Sequence, residues 1–193
     1  SGVLNSIEAA SIASVKRYIF SSAAGVYGNN ISNPIYEDTL LKSECAYDSS
    51  KIAAEEVVKN YGIECAILRI GFVYGPGRIH ECPIAMLINE ILSKGYVDWN
   101  SGRNQLLDFI YIDDVINGFI GAVSASKLNY KIYNLGGGQM TPFSNVIDIV
   151  QKLYPNKTIN VGDGYLGYDN IGRMDNSRAF RDFGYSFTTI EFI

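Results

Sequence analysis

The stretch Tyr47-Asp48-Ser49-Ser50-Lys51 stands at the head of a helical pattern, and the fold is read outward from it. Ala54, Val57, Val58 and Tyr61 recur at the spacing of one helix face, Glu55 precedes Lys59 by one turn, and Gly62 stands where a helix-ending glycine belongs. Before this helix, Tyr18-Ile19-Phe20 is a short apolar run that ends in Ser21-Ser22; after it, Cys65-Ala66-Ile67-Leu68 is another. Strand, helix and strand, with near-continuous apolar strands, predict a parallel sheet that carries helices on its faces. In such sheets ligands bind beyond the carboxyl ends of the strands. Ser21-Ser22, the head of the Tyr47 helix and the run Ile70-Gly71-Phe72-Val73-Tyr74 all fall at that end.

Residues i and i+4 share a helix face, so the Tyr47 phenol and the Lys51 ammonium can point into one space. An unperturbed phenol titrates near ~10 and is a poor acid or base at neutral pH. A cation beside it is expected to favour the phenolate and suit Tyr47 for proton transfer. In a chain with 14 tyrosines the spacing alone arises by chance, so its weight comes from its surroundings.

Composition narrows the classes. With 193 residues, 47% hydrophobic, 19% charged and a net charge of −4, the chain reads as one globular domain with at most a small appendage. That balance argues against disorder, and a mildly acidic chain does not suit a nucleic-acid partner. No run approaches the ~18 apolar residues of a membrane span, and no charged-then-apolar leader is visible. Cys45, Cys65 and Cys82 are odd in number and form no C-x-x-C, so neither a disulfide framework nor a metal site is expected. Cys65 reads as a small core hydrophobe and the lone His80 as a loop residue. A soluble protein of a reducing, cytoplasmic compartment is the expectation.

The remaining chain is read the same way. Residues 2–14 carry Val3, Leu4, Ile7 and Ala10 on one side of a helix, and 25–45 is a long loop. Pro83 opens a helix with Ile84, Leu87, Ile88, Ile91 and Leu92 on one face, closed by Gly95. Segment 107–112 is β-prone, and Asp113 is expected to cap a helix that buries Ile116, Phe119, Ile120 and Val123. Segment 131–135 reads as a strand; Thr141-Pro142 opens a helix with Phe143, Val146, Ile147, Val150 and Leu153 inward. Gly162-Asp163-Gly164-Tyr165-Leu166-Gly167 matches G-x-G-x-x-G, yet no helical pattern follows to hold a pyrophosphate, so it reads as a loop. Gly136-Gly137-Gly138 reads as a tight turn.

Taken in order, these stretches resemble the extended short-chain dehydrogenase/reductase family, and within it the NAD-dependent epimerase/dehydratase group. The resemblance is carried by Val15-Lys16-Arg17-Tyr18-Ile19-Phe20-Ser21-Ser22 with Val26-Tyr27-Gly28, by Tyr47 with Lys51, and by Leu68-Arg69 with Val73-Tyr74-Gly75-Pro76. It continues through Asp108-Phe109-Ile110-Tyr111-Ile112-Asp113-Asp114-Val115, Tyr133-Asn134-Leu135-Gly136 and Asp175-Asn176-Ser177-Arg178-Ala179. It implies an α/β fold: the C-terminal part of a Rossmann-type doubly wound parallel sheet with a small α/β substrate-binding subdomain. Residues 1–78 would be the remaining half of the NAD(P)-binding domain and 79–193 the substrate-binding subdomain, with 106–135 returning to the sheet. The resemblance implies that Tyr47 exchanges a proton with a substrate hydroxyl, that Lys51 holds the cofactor ribose, and that a Ser or Thr after the first strand binds the substrate oxygen. Ser21, Tyr47, Lys51, Ile70, Phe72 and Val73 would then meet NAD or NADP. A nucleotide sugar is the implied substrate and a homodimer the implied assembly, its contacts on the Tyr47 helix and the helix near 82–95.

The departures carry equal information. The family's Ser/Thr position falls on Ala23; Ser22, one residue earlier, is the nearest hydroxyl and is the candidate to stand in as the catalytic hydroxyl beside Tyr47 and Lys51 if the loop shifts. Many sugar-nucleotide members place Asn at Phe72 and a diphosphate-binding Arg at Leu107, whereas Arg173 lies near the place of a second such Arg. Ala23, Phe72 and Arg173 are therefore the candidate substrate contacts, and Phe72 with Leu107 makes a carbonyl reductase the competing reading. The glycine-rich turn for the cofactor pyrophosphate has no counterpart here, and residue 1 falls inside a helical pattern. The chain is expected to be part of a longer protein, inactive and without cofactor by itself; a non-catalytic binding module is the third reading.

Overall fold

The structure, a computed structural model, describes residues 2–78 and 82–188; His80 lies outside them. Helix α1 (Gly2–Ile12) leads into β1 (Arg17–Ala23), which ends in a 3-10 turn over Ala24–Tyr27. A loop then leads to α2 (Ala46–Asn60), followed by β2 (Glu64–Ile70), β3 (Phe72–Tyr74), α3 (Pro83–Lys94) and β4 (Tyr96–Trp99). Next come β5 (Leu106–Leu107), β6 (Phe109–Tyr111), α4 (Ile112–Ser124) and β7 (Ile132–Leu135). The described chain closes with β8 (Thr141–Pro142), α5 (Phe143–Leu153), β9 (Thr158–Val161) and α6 (Ser177–Phe183).

Strands β1, β2 and β7 form a parallel sheet in that order, with Arg17 opposite Glu64 and Ala23 opposite Ile70. Both faces are covered. On one, α1 and α2 bury Ile7 and Val58 against Phe20, Cys65 and Ile67. On the other, α4 and α6 bury Val115, Ala122 and Ala179 against Ala66, Leu68, Tyr133 and Leu135. Successive residues of β2 thus point into different cores, which is why its sequence is a continuous apolar run rather than an alternating one. This is the doubly wound α/β architecture of a Rossmann-type sheet. A third core joins α3 and α5 through Leu87, Ile91, Phe143, Val146, Ile147 and Val150, beneath the parallel pair β4–β9.

The glycines expected to end helices do so: Gly62 has φ +94° and Gly95 φ +85°, a left-handed conformation that L-residues with a Cβ disfavour. The loop reading of Gly162 to Gly167 also stands, since β9 precedes it and no helix follows within it.

Helix α4 departs from expectation. It begins two residues earlier, with Tyr111 at the N-cap position; Asp113 lies in the first turn beside Asp114, where negative charge complements the helix dipole. Its buried side is Asp114, Val115, Gly118 and Ala122, whereas Ile116, Ile120 and Val123 are 47%, 57% and 63% exposed. Close approach explains the reversal. A Cβ on Gly118 would lie 2.7 Å from Leu135, and one on Gly121 would lie 2.9 Å from Phe183. Small residues therefore set the closest contact, Val115 and the expected Phe119 pack beside them, and Ile116, Ile120 and Val123 turn outward. Leu92 and Leu153, expected inward, are likewise exposed, because α3 and α5 bury narrower stripes centred on Leu87 and Ile147.

Arg17 fastens α4 to the sheet: its Nη1 donates to the carbonyl oxygens of Ala122 at 2.7 Å and Ala125 at 2.8 Å, while Nε and Nη2 reach Glu64. A cation on the last carbonyls of a helix satisfies acceptors that have no partner within it. No helix among the described residues is long and apolar enough to cross a membrane.

Candidate functional site

A cleft of about 800 Å³ opens at the carboxyl ends of β1, β2 and β3. One wall is the end of β1 with the first turn of α2, through Ser21, Ala23 and Tyr47; the other runs from Ile70 through Phe72 and Val73 to Arg78. Leu107, Asp108, Tyr168 and Met174 close it from the far side.

Tyr47 and Lys51 do meet. The Lys51 Nζ lies 5.5 Å from the Tyr47 ring centroid and 5.2 Å from that of Phe20. It donates to the Ser21 carbonyl oxygen at 2.8 Å, which fixes the ammonium at the end of β1. The phenol, however, is pushed up rather than down. Burial is the main cause, with the nearby Asp48 and Cys45 adding to it. Burial pulls the Lys51 ammonium down, opposed by the negative charge of Glu55. The cation faces the ring and the Ser21 carbonyl, so it does not offset these effects on the phenol.

Ser22 is buried, and its hydroxyl donates to Glu55 Oε1 at 2.5 Å. It borders the cleft but shares a strand face with Phe20, on the α2 side, so its hydroxyl is taken up by Glu55. Ala23 lines the cleft and brings no hydroxyl, while Ser21 contributes its carbonyl. Phe72 meets Phe109 and Tyr168 edge-on, with ring centroids 5.6 Å and 5.1 Å apart. Arg173 is not among the described residues of the lining; its Nε reaches Asn33 Oδ1 at 3.4 Å.

Two parts of the site escape the sequence reading. The first is Arg78, whose guanidinium sits 5.0 Å from the Phe72 centroid and contacts the Val73 carbonyl oxygen. The second is buried beneath α2. Arg69 forks onto Glu55, with Nε to Oε1 at 3.0 Å and Nη2 to Oε2 at 2.6 Å, and its Nη1 reaches the Tyr27 hydroxyl at 3.0 Å. Tyr27 in turn donates to Asn134 Oδ1 at 2.6 Å, and the Asn134 N–H donates to Glu37 Oε1 at 2.9 Å. A lone arginine inside the apolar run of β2 was the available signal, since an arginine is rarely fully buried without a partner. Asp108 is buried as well. It accepts from the Met174 N–H at 3.1 Å, and burial pushes its carboxyl up to about 7.

Similarity to known proteins places this geometry. Residues 1–136 match the model of the NAD dependent epimerase/dehydratase family. The chain is 28% identical to UDP-glucuronate 4-epimerase 6 of Arabidopsis thaliana, covering 97% of this chain and 46% of that protein. It is 31% identical to UDP-glucuronate 4-epimerase of Thermodesulfobacterium geofontis, covering 81% and 49%. The chain spans about half the length of these relatives. Among solved structures it superposes on UDP-glucuronic acid 4-epimerase from Bacillus cereus in complex with UDP-glucuronic acid and NAD. That match has a TM-score of 0.85 and 27% identity, over 97% of this chain and 61% of the other. MoeE5 in complex with UDP-glucuronic acid and NAD gives a TM-score of 0.84 and 25% identity, over 97% and 64%. A parallel sheet whose carboxyl edge carries the Tyr47–Lys51 turn, matched by the family's own pattern over residues 1–136, makes this chain a member of the NAD-dependent epimerase/dehydratase family.

Proposed function

We propose that the whole protein catalyses an NAD(P)-dependent reaction of the epimerase/dehydratase type at a hydroxyl-bearing carbon of a nucleotide sugar. The observation that carries the reading is that Tyr47 and the Ile70-to-Val73 segment line one cleft at the sheet's carboxyl edge, with the Lys51 ammonium behind Tyr47 at the Ser21 carbonyl. The relatives named UDP-glucuronate 4-epimerase support the substrate class, and the neighbours solved with NAD support the cofactor.

The cleft residues fit the nicotinamide–ribose end of the cofactor. Ile70, Phe72 and Val73 offer an apolar surface for a planar ring, and Lys51, beside the cleft with one N–H on the Ser21 carbonyl, keeps two further donors for ribose hydroxyls. When bound, NAD(P) supplies the acceptor and donor of a hydride. The protein's own part is the proton. Tyr47, held protonated by burial and by Asp48, delivers its Oη proton to a developing alkoxide. In the reverse direction the phenolate takes that proton from the substrate hydroxyl. Phe72, Tyr168 and Leu107 keep water from the reacting carbon.

The apolar lining at Ala23, Phe72 and Leu107 favours a second reading, a carbonyl reductase of the same family. Assaying the full-length protein with NAD(P)H against UDP-sugars and against small ketones separates the two. Turnover of UDP-sugars that vanishes in Tyr47→Phe supports the first reading. Reduction of ketones alone supports the second, and neither activity sinks both. A homodimer through α2 and α3 completes the proposal, with sedimentation of the full-length protein as its check.

A further inference from the structure

Beneath the Tyr47–Lys51 turn lies a polar cluster that the proposed reaction does not use. Glu55 and Arg69 are each 2% exposed, and Ser22 3%. Such a pair is costly to desolvate and is a weak source of stability, so its presence under a reactive turn asks for another reason. The geometry supplies one. Glu55 follows Lys51 by one helical turn on α2, so the two side chains share a face. Its carboxylate is fixed from three elements: Ser22 Oγ from β1, and Arg69 Nε and Nη2 from β2, with Arg69 itself held by Tyr27 and the Glu37 carbonyl. Lys51 is fixed from the same strand end, through the Ser21 carbonyl, one residue from Ser22.

We infer that Glu55 is a positioning residue for the Tyr47–Lys51 turn: clamped by Arg69 and Ser22, it locks α2 against the ends of β1 and β2 and holds the Lys51 ammonium at the Ser21 carbonyl, behind Tyr47. The charged and titratable groups around this point are Arg69 from β2, Tyr27 from the 3-10 turn, and Lys51 and Tyr47 on α2 itself; Ser22 adds its hydroxyl from β1. The direction of the Glu55 effect on Lys51, upward, agrees. This role deepens the proposed function but has a test that does not need it.

The experiment follows the Lys51 titration by NMR of 13C-dimethylated lysines in the full-length protein, assigned with Lys51→Arg, alongside NAD-dependent turnover. In Glu55→Gln the Arg69 charge is left uncompensated, so the Lys51 midpoint falls by roughly half a unit or more, and kcat falls about tenfold while KM for substrate stays within about twofold. Glu55→Gln paired with Arg69→Met, a neutral pair of similar size, keeps the fold if the single variant does not. It leaves Lys51 with neither charge, so its midpoint falls by less than in Glu55→Gln while kcat stays reduced. Ser22→Ala lowers kcat less than about threefold, because its hydroxyl serves Glu55 and not the substrate. An unmoved Lys51 midpoint in Glu55→Gln, or unchanged kcat in both Glu55 variants of a turning-over enzyme, overturns the inference. A shifted midpoint in a protein without NAD-dependent turnover upholds it and refutes the proposed function instead.

Discussion

Lys51 donates its ammonium proton to the Ser21 carbonyl oxygen at 2.8 Å, so the helix that carries Tyr47 is tied to the strand end it faces. Removing only the Tyr47 hydroxyl leaves that tie in place. Tyr47→Phe in the full-length protein is expected to lower turnover by ~10²- to 10⁴-fold, the range for a positioned proton-transfer group. Its unfolding free energy should change by less than about 1 kcal/mol, because the side chain is half exposed. Steady-state kinetics with urea titration checks both; turnover within threefold of wild type would remove Tyr47 from the chemistry.

Ala23 lines the cleft where the family pattern implies a hydroxyl. Ala23→Ser places one there without disturbing the Ser22–Glu55 contact on the opposite strand face. A new hydrogen bond to an oxygen that carries developing charge contributes roughly 1.5 kcal/mol, so kcat/KM for a UDP-sugar should rise about tenfold. A fall or no change would mean that the substrate oxygen does not reach β1.

Asp108 ties stability to pH. Its carboxyl is protonated in both folded and unfolded chains below about pH 4, so nothing is lost there. As pH rises from about 4 towards about 7, the unfolded chain releases the proton while the folded one retains it, and stability falls. The shift from 3.8 to about 7 corresponds to a loss on the order of 4 kcal/mol across that window, with no further slope above it. Asp108→Asn keeps an acceptor for the Met174 N–H and should flatten this dependence. Urea unfolding at several pH values is the measurement, and equal slopes in the two proteins would refute the assignment.

Gly137 sits against the backbone of β6, where a Cβ would overlap the Phe109 carbonyl oxygen. No flexible side-chain end is available to yield. Gly137→Ala is expected to cost about 3 kcal/mol or more, read from chemical denaturation. A loss below about 1 kcal/mol would show that the 136–138 turn can shift.

Much of this was legible before any coordinates. Strand β2 was readable because both its faces are buried, and α2 because its apolar spacing and closing glycine agree. Ser22 reads from the sequence as the substitute catalytic hydroxyl, whereas its hydroxyl meets Glu55, on the strand face it shares with Phe20. Helix α4 was misread, since apolar bulk marks a buried stripe only where helices pack at ordinary distance; here Gly118 and Gly121 set the contact. Of the Glu55–Arg69–Tyr27–Asn134–Glu37 chain only Arg69, set in an apolar run, gave a signal, and its partners were not readable. Its members come from separate elements, and only folding decides which buried charge meets which. The phenol's upward shift was hidden for a similar reason, because spacing gives the face shared by Tyr47 and Lys51 but not the direction in which the ammonium points.

The two walls of the cleft are built differently. The Tyr47 wall stands on a buried ion pair and on hydrogen bonds that reach into the sheet, where exchanging one partner strands the charge of the other. The Phe72 wall is a cluster of aromatic edges, through Phe109 and Tyr168, in which one apolar ring can replace another at modest cost. Substitutions can therefore accumulate on the aromatic wall while the ion-paired wall stays as it is. A cleft so divided can change shape on one side without first losing the groups that the other side holds in place.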